Sequence, residues 1–167
     1  ETATYMLARV DLNAAQAGSF DEWGFFKGAA SSDGSAAANA GRELAAYLKA
    51  YPAGLYAASA KGLQRRVSWL SGDLAGLSHI YEQMLIDSAP GSTGEALLIE
   101  EVDNKLLIAK GAENAIDTPL LLATYDLMRM RPHGEDSDYG YAEKPLDPGE
   151  LKAQAPKFAG RKPLYDF

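Results

Sequence analysis

Residues Leu55–Asp87 read LYAASAKGLQRRVSWLSGDLAGLSHIYEQMLID, and this stretch decides the fold. Within it Tyr56, Ala60, Leu63, Val67, Leu70, Leu74, Leu77, Tyr81 and Met84 follow one another at alternating steps of four and three residues. Apolar side chains repeating at that interval share one face of an α-helix, a seam suited to packing on other helices. The spacing predicts one long central helix from Leu55 to Asp87, on the order of 50 Å at a rise of about 1.5 Å per residue. Gly62, Gly72 and Gly76 each weaken it by up to about 1 kcal/mol relative to alanine, while admitting close approach of a neighbouring backbone. Pro90-Gly91 closes the segment.

Three shorter helices are expected around it. Asp33-Gly-Ser35 has the form of an N-terminal cap for a helix ending near Tyr51-Pro52, with Ala40, Leu44, Leu48 and Tyr51 on one face. Ser92-x-x-Glu95 is a capping box that opens a helix carrying Leu98, Val102, Leu106 and Ala109. Asp117-Thr118-Pro119 supplies a cap and a proline for the first helical position, and Pro132 stops the helix that follows near Met130. Short connections favour antiparallel neighbours. The expectation is an all-α protein: a four-helix-bundle-like domain over residues 1–131, with 1–34 irregular or partly helical, where Thr4–Leu12 fits a short helix or a strand and is read first as a helix. Residues 132–167 are read as an extended, irregular C-terminal tail.

That tail holds five of the eight prolines, twelve charged residues and the spaced aromatics Tyr139, Tyr141, Phe158, Tyr165 and Phe167. No period in it is long enough to bury a face of its own, so order there has to come from packing on another surface. Aromatics lose few rotamers on burial and anchor interfaces well. The tail's anchors would be those five side chains, with Lys157, Arg161 and Lys162 meeting an acidic neighbour. A second aromatic segment, Phe20-Asp-Glu-Trp23-Gly-Phe25-Phe26, places four large rings in seven residues among turn formers. Two uses fit it: plugging one end of the helical body, or docking a partner.

Composition narrows the function classes. A formal charge of −7 and a pI near 4.8 argue against nucleic acid, whose binders carry a basic face. No apolar run reaches the roughly 18–20 residues of a membrane span, so a soluble or peripheral chain is expected. With no cysteine, disulfides and thiolate chemistry are absent. The chain opens Glu1-Thr-Ala-Thr; read as a mature terminus after presequence removal this points to an organelle or the periplasm, and read as a trimmed start it leaves the compartment open.

Candidate metal ligands are thin. His79 and Glu82 stand one helical turn apart and read first as a solvent-side pair. A bundle metal site built on them would need further carboxylates, for which Glu100, Glu101 and Asp103 are the candidates. The acidic run His133-Gly-Glu135-Asp136-Ser-Asp138-Tyr-Gly140 offers oxygens to a hard cation. Counted from Asp136, however, loop positions six and twelve are Tyr141 and Asp147, where an EF-hand needs Gly and Glu. No Gly-x-Ser-x-Gly elbow, Gly-x-Gly-x-x-Gly or phosphate loop occurs.

Glu101-Val-Asp-Asn104-Lys, Ala112-Glu-Asn-Ala-Ile-Asp-Thr-Pro119 and Tyr125-Asp-Leu-Met128 together resemble the last two helices of ketopantoate-reductase-type dehydrogenases. The family's Asn-Gly is Asn104-Lys105 here. Its catalytic-lysine helix motif has no counterpart, and its nucleotide-binding domain is not in this sequence. The resemblance implies a helix–loop–Thr-Pro–helix arrangement, and no dehydrogenase activity is carried over.

The expectation is therefore a non-catalytic accessory subunit of a larger protein assembly, docking through its tail and the Phe20–Phe26 segment, with no cofactor. Two other classes stay open. One is a helical bundle that binds a ligand, cofactor or metal near His79 and Glu82; the other is an enzyme whose tail acts as a lid over His133 and Glu135.

Overall fold

A computed structural model describes residues 1–131 and 145–166. Among the described residues every regular element is helical, apart from one isolated antiparallel bridge between Phe20 and Phe26. The all-α, bundle-like expectation stands. The chain divides within its central helical region into two compact units, Glu1–Leu77 and Ser78–Phe167, whereas the composition changes only near residue 131.

The first unit is built on three helices: α1 (Thr2–Gln16), α2 (Gly34–Ala50) and α3 (Ala57–Ser71). The N-terminal segment is thus more regular than read from sequence, because Tyr5, Ala8, Leu12 and Ala15 form a buried stripe at helical spacing. Asp33 caps α2 as expected, its carboxylate accepting the N–H groups of Ser35 and Ala36. Two clusters make the core. One joins Leu12, Ala15, Ala36, Ala37, Ala40 and Leu70; the other joins Tyr5, Ala8, Leu44, Tyr47 and Ala60. Leu63 and Val67 pack against both. The α2–α3 approach is close enough that a Cβ on Gly41 would lie 3.2 Å from Val67 Cγ1.

The single long helix expected over 55–87 is instead two helices, α3 and α4 (Leu74–Asp87). Gly72 takes φ +73°, a left-handed conformation that costs glycine little. The N–H of Gly72 bonds Trp69 O at 3.2 Å and the N–H of Asp73 bonds Ser68 O at 2.9 Å, a Schellman ending. Asp73 then turns its carboxylate to Gly76 N at 2.9 Å and caps α4. The heptad seam survives the break, since every member from Tyr56 to Met84 is buried or half-buried. Apolar period reports which side chains face inward, and a stop of this kind leaves that unchanged.

The second unit continues from α4 through α5 (Thr93–Val102), a π turn at Asp103–Leu107, a short α6 (Ala112–Ala115) and α7 (Pro119–Met130). Ser92 accepts Glu95 N at 3.1 Å as the capping box predicts, but the Glu95 carboxylate returns to Gly91 N at 2.5 Å. The helix expected to reach Ala109 widens after Val102. There the Asn104 side-chain amide donates to Glu100 O at 2.8 Å, and the wider turn places Leu106 and Leu107 both inside.

Residues 145–166 correct the tail reading. They fold as α8 (Pro148–Gln154), a 3₁₀ turn at Ala155–Phe158 and α9 (Lys162–Asp166), so this part is no extended arm. Asp147 caps α8 and Pro148 occupies its first turn. Phe158 is 3% exposed and supplies the apolar anchor.

Candidate functional site

The Phe20–Phe26 segment forms a short hairpin beside the C-terminal end of α1. Ser19 fixes its base: the side chain is fully buried, and its hydroxyl lies 3.1 Å from Ser32 Oγ and 3.3 Å from Ala15 O. Lys27 N donates to Ser19 O at 2.9 Å and Asp21 N to Phe25 O at 2.9 Å, holding the two arms together. The tip is set by one carboxylate. Asp21 Oδ1 accepts Trp23 N at 2.9 Å and Phe25 N at 2.8 Å, and Gly24 closes the turn at φ +85°.

This geometry sorts the four rings into two pairs. Phe20 and Phe26 face each other at 5.8 Å, and both contact Trp69 of α3, Phe26 at 4.0 Å and Phe20 at 6.1 Å. Trp23 and Phe25 stand out at 78% and 71% exposure. One half of the segment thus packs on the helical body and the other half is presented to solvent. Trp23 and Trp69 do not share a core.

A Trp and a Phe bury 150–250 Å² each when fully enclosed, so the exposed pair offers on the order of 300 Å². A standard interface takes about 800 Å² from each partner. The pair is anchor-sized, and other surface would have to complete a contact. On the same unit, Met6, Leu7 and Val10 leave a second apolar face on the outer side of α1.

The remaining candidates are placed as follows. Of the proposed tail anchors, Phe158 is buried within its own unit with Tyr165 at 5.4 Å, so Phe158 is not presented to a partner. Lys157 and Arg161 are exposed, and Lys162 pairs with Asp166 at 2.7 Å. Tyr139, Tyr141 and Phe167 lie outside the described residues, as do His133, Glu135, Asp136 and Asp138. His79 and Glu82 have different partners. His79 is exposed, with Nε2 at 3.2 Å from Asp117 Oδ1. Glu82 is buried and accepts Leu120 N at 2.9 Å and Leu121 N at 3.1 Å, which corrects the solvent-side reading for Glu82. Among the described residues no group of three or more His, Asp or Glu side chains is arranged to hold a metal ion. Glu101 is engaged by Tyr81 and Lys105. No described helix is long and apolar enough to cross a membrane.

One polar cluster was not anticipated from sequence. Asp126 and Arg129 of α7 are buried against Glu150 and Gln154 of α8. Arg129 grips both Glu150 oxygens at 2.6 and 2.8 Å and reaches Pro145 O at 3.4 Å, and the carboxylate holds the guanidinium further toward its charged form. Burial pushes the Asp126 carboxyl above the usual range, against the opposing pull of Gln154, Arg129 and Lys157. A signal did exist: Leu122, Asp126 and Arg129 continue the four-three spacing of the α7 buried stripe, placing two ionisable side chains where apolar residues are expected.

No family model, curated protein or solved structure matches this chain. The helix–loop–Thr-Pro–helix pattern at residues 101–128 is present as α5, the π turn, α6 and α7, without a family match to accompany it.

Proposed function

We propose that this chain is a non-catalytic accessory subunit that binds a partner protein through the exposed tip of its aromatic hairpin. The observation that carries this reading is the sorting of four adjacent rings. Phe20 and Phe26 fix the hairpin to α3 while Trp23 and Phe25 stay exposed on a backbone locked by Asp21. A rigid pair of large rings loses little conformational freedom on docking, which is why such residues dominate binding energy at interfaces. Glu22 beside them and the net charge of −7 favour a partner whose apolar slot is rimmed with lysine or arginine. The tail's part in docking falls to residues outside the buried Phe158 anchor.

The test compares the wild-type chain with the double variant Trp23→Ala, Phe25→Ala in affinity capture from the native source. Thermal unfolding of both is measured alongside. Both rings are solvent-exposed, so unfolding should match within about 0.5 kcal/mol. Partners retained by wild type should be lost by the variant, at tenfold or greater cost in affinity for the purified partner. Equal retention by two equally stable proteins would remove the hairpin as the docking site.

A further inference from the structure

Gln154 Nε2 donates to Asp126 Oδ1 at 3.3 Å, with the two side chains 7% and 3% exposed. The other two oxygens of this pair, Asp126 Oδ2 and Gln154 Oε1, are both buried and neither has a hydrogen-bond partner. Two buried acceptors left bare on one hydrogen-bonded pair of side chains cost free energy twice. They cannot satisfy one another while Asp126 is a carboxylate, because neither oxygen then carries a hydrogen. A neutral carboxylic acid changes that, since its O–H is a donor.

We propose that Asp126 is a neutral acid while α8 is docked, joined to the Gln154 amide by two hydrogen bonds, and that its ionisation releases residues 148–166 from α7. In the docked pair Nε2–H donates to Oδ1 and Oδ2–H donates to Oε1, so one proton satisfies both bare acceptors. Loss of that proton to solvent leaves a buried carboxylate facing an amide oxygen. The cations around it offset that cost only in part. Arg129 of α7 is committed to Glu150 through both carboxylate oxygens, Glu150 of α8 is itself an anion, and Lys157 of the 3₁₀ turn is exposed. On α9, Lys162 and Asp166 pair with each other at the surface, and Arg161 before it is exposed. The upward displacement of the Asp126 carboxyl by burial agrees with this arrangement.

The direction of the switch follows. The docked form binds one more proton than the released form over the interval between their two protonation midpoints. Docking is therefore strongest on the acid side and weakens as pH rises through the docked midpoint. Release uncovers Phe158. The inference is independent of the aromatic hairpin.

Two measurements on the full 167-residue chain test it. Carbon-detected NMR with ¹³C-aspartate reads the Asp126 Cγ directly, and hydrogen exchange, corrected for intrinsic rates, follows the amides of 150–158 across the same pH range. Asp126 should remain protonated where the exposed aspartates are already ionised. Protection of 150–158 should then fall by up to about tenfold per pH unit, the limit for one proton. Asp126→Asn offers an N–H and a C=O in the same places, so it should keep the segment protected and flatten the pH dependence. Glu150→Gln should lower protection at every pH and leave the slope. Asp126 titrating together with the exposed aspartates would overturn the proposal, as would an unchanged slope in Asp126→Asn. If that variant fails to fold, the wild-type Cγ titration decides alone.

Discussion

Glu82 reaches from α4 to the first turn of α7, where its Oε2 accepts the backbone N–H of Leu121 at 3.1 Å and that of Leu120 at 2.9 Å. The ordinary cap residue, Thr118, is occupied elsewhere, its hydroxyl lying 3.0 Å from Ser78 Oγ. A carboxylate thus does from another helix what a cap residue does locally, and its charge suits the positive end of the helix dipole. Glu82→Ala should lower the unfolding free energy by roughly 1–2 kcal/mol, the range of lost helix caps. Glu82→Gln, which keeps an acceptor without the charge, should lose less. Urea titration of the three proteins reads the order directly.

Arg129 and Glu150 tie α8 to α7 across a separation of 21 residues. The arginine is buried and the glutamate part-exposed, so water takes back some of what the contact contributes. Glu150→Ala should cost about 2 kcal/mol, since a charged hydrogen-bonding group buried in the fold loses a carboxylate. A double-mutant cycle with Arg129→Ala should show coupling of similar size; additive effects would mean the pair contributes nothing as a pair.

Gly72 breaks the central seam with φ +73°, and a Cβ added there would lie 3.0 Å from the Ala29 Cβ. Gly72→Ala should therefore destabilise by at least about 1 kcal/mol, although alanine is the better helix former. If the seam instead preferred one continuous helix, the same substitution would stabilise. The sign of the shift in Tm separates the two.

Asp33 gives a pH dependence of its own. The Ser35 hydroxyl first, then the N–H groups of Ala36 and Ser35, hold its carboxyl below the usual range. The folded form thus releases its proton more readily than the unfolded chain. Its contribution is fully present above the ordinary aspartate range and is lost as pH falls through the lower folded value. Amide exchange at 35–37 should accelerate selectively on acidification, and Asp33→Asn should abolish that acid-dependent part. This runs opposite in sign to Asp126.

Phe26 and Trp23 lie three residues apart in sequence and should behave as unlike residues. Phe26 packs at 4.0 Å on Trp69, so Phe26→Ala should cost about 2 kcal/mol and alter Trp69 emission. Trp23→Ala should leave the unfolding midpoint within error. A large loss from Trp23→Ala would place that ring in the core.

What the sequence determined by itself is the helical class, the inward-facing residues and most of the ends. Asp33 and Ser92 start helices where the sequence places them, because caps act on backbone groups two or three residues away, and Pro119 does so because its fixed φ suits the first helical turn. The alternating steps from Tyr56 to Met84 named side chains that are all buried or half-buried, since neighbours one helical turn apart share a face whatever lies opposite. The Gly72-Asp73 break was also written locally, but a continuous apolar period concealed it. Tertiary structure decided what no interval along the chain encodes. It set which two of the four hairpin rings meet Trp69, sent Glu82 to a helix end 38 residues away, and folded 145–166 onto α7 around Asp126, Arg129 and Phe158. Each of those outcomes depends on burying a surface against another distant in sequence. A polar side chain is buried only where a specific partner waits, and the partner's place is a property of the packed chain.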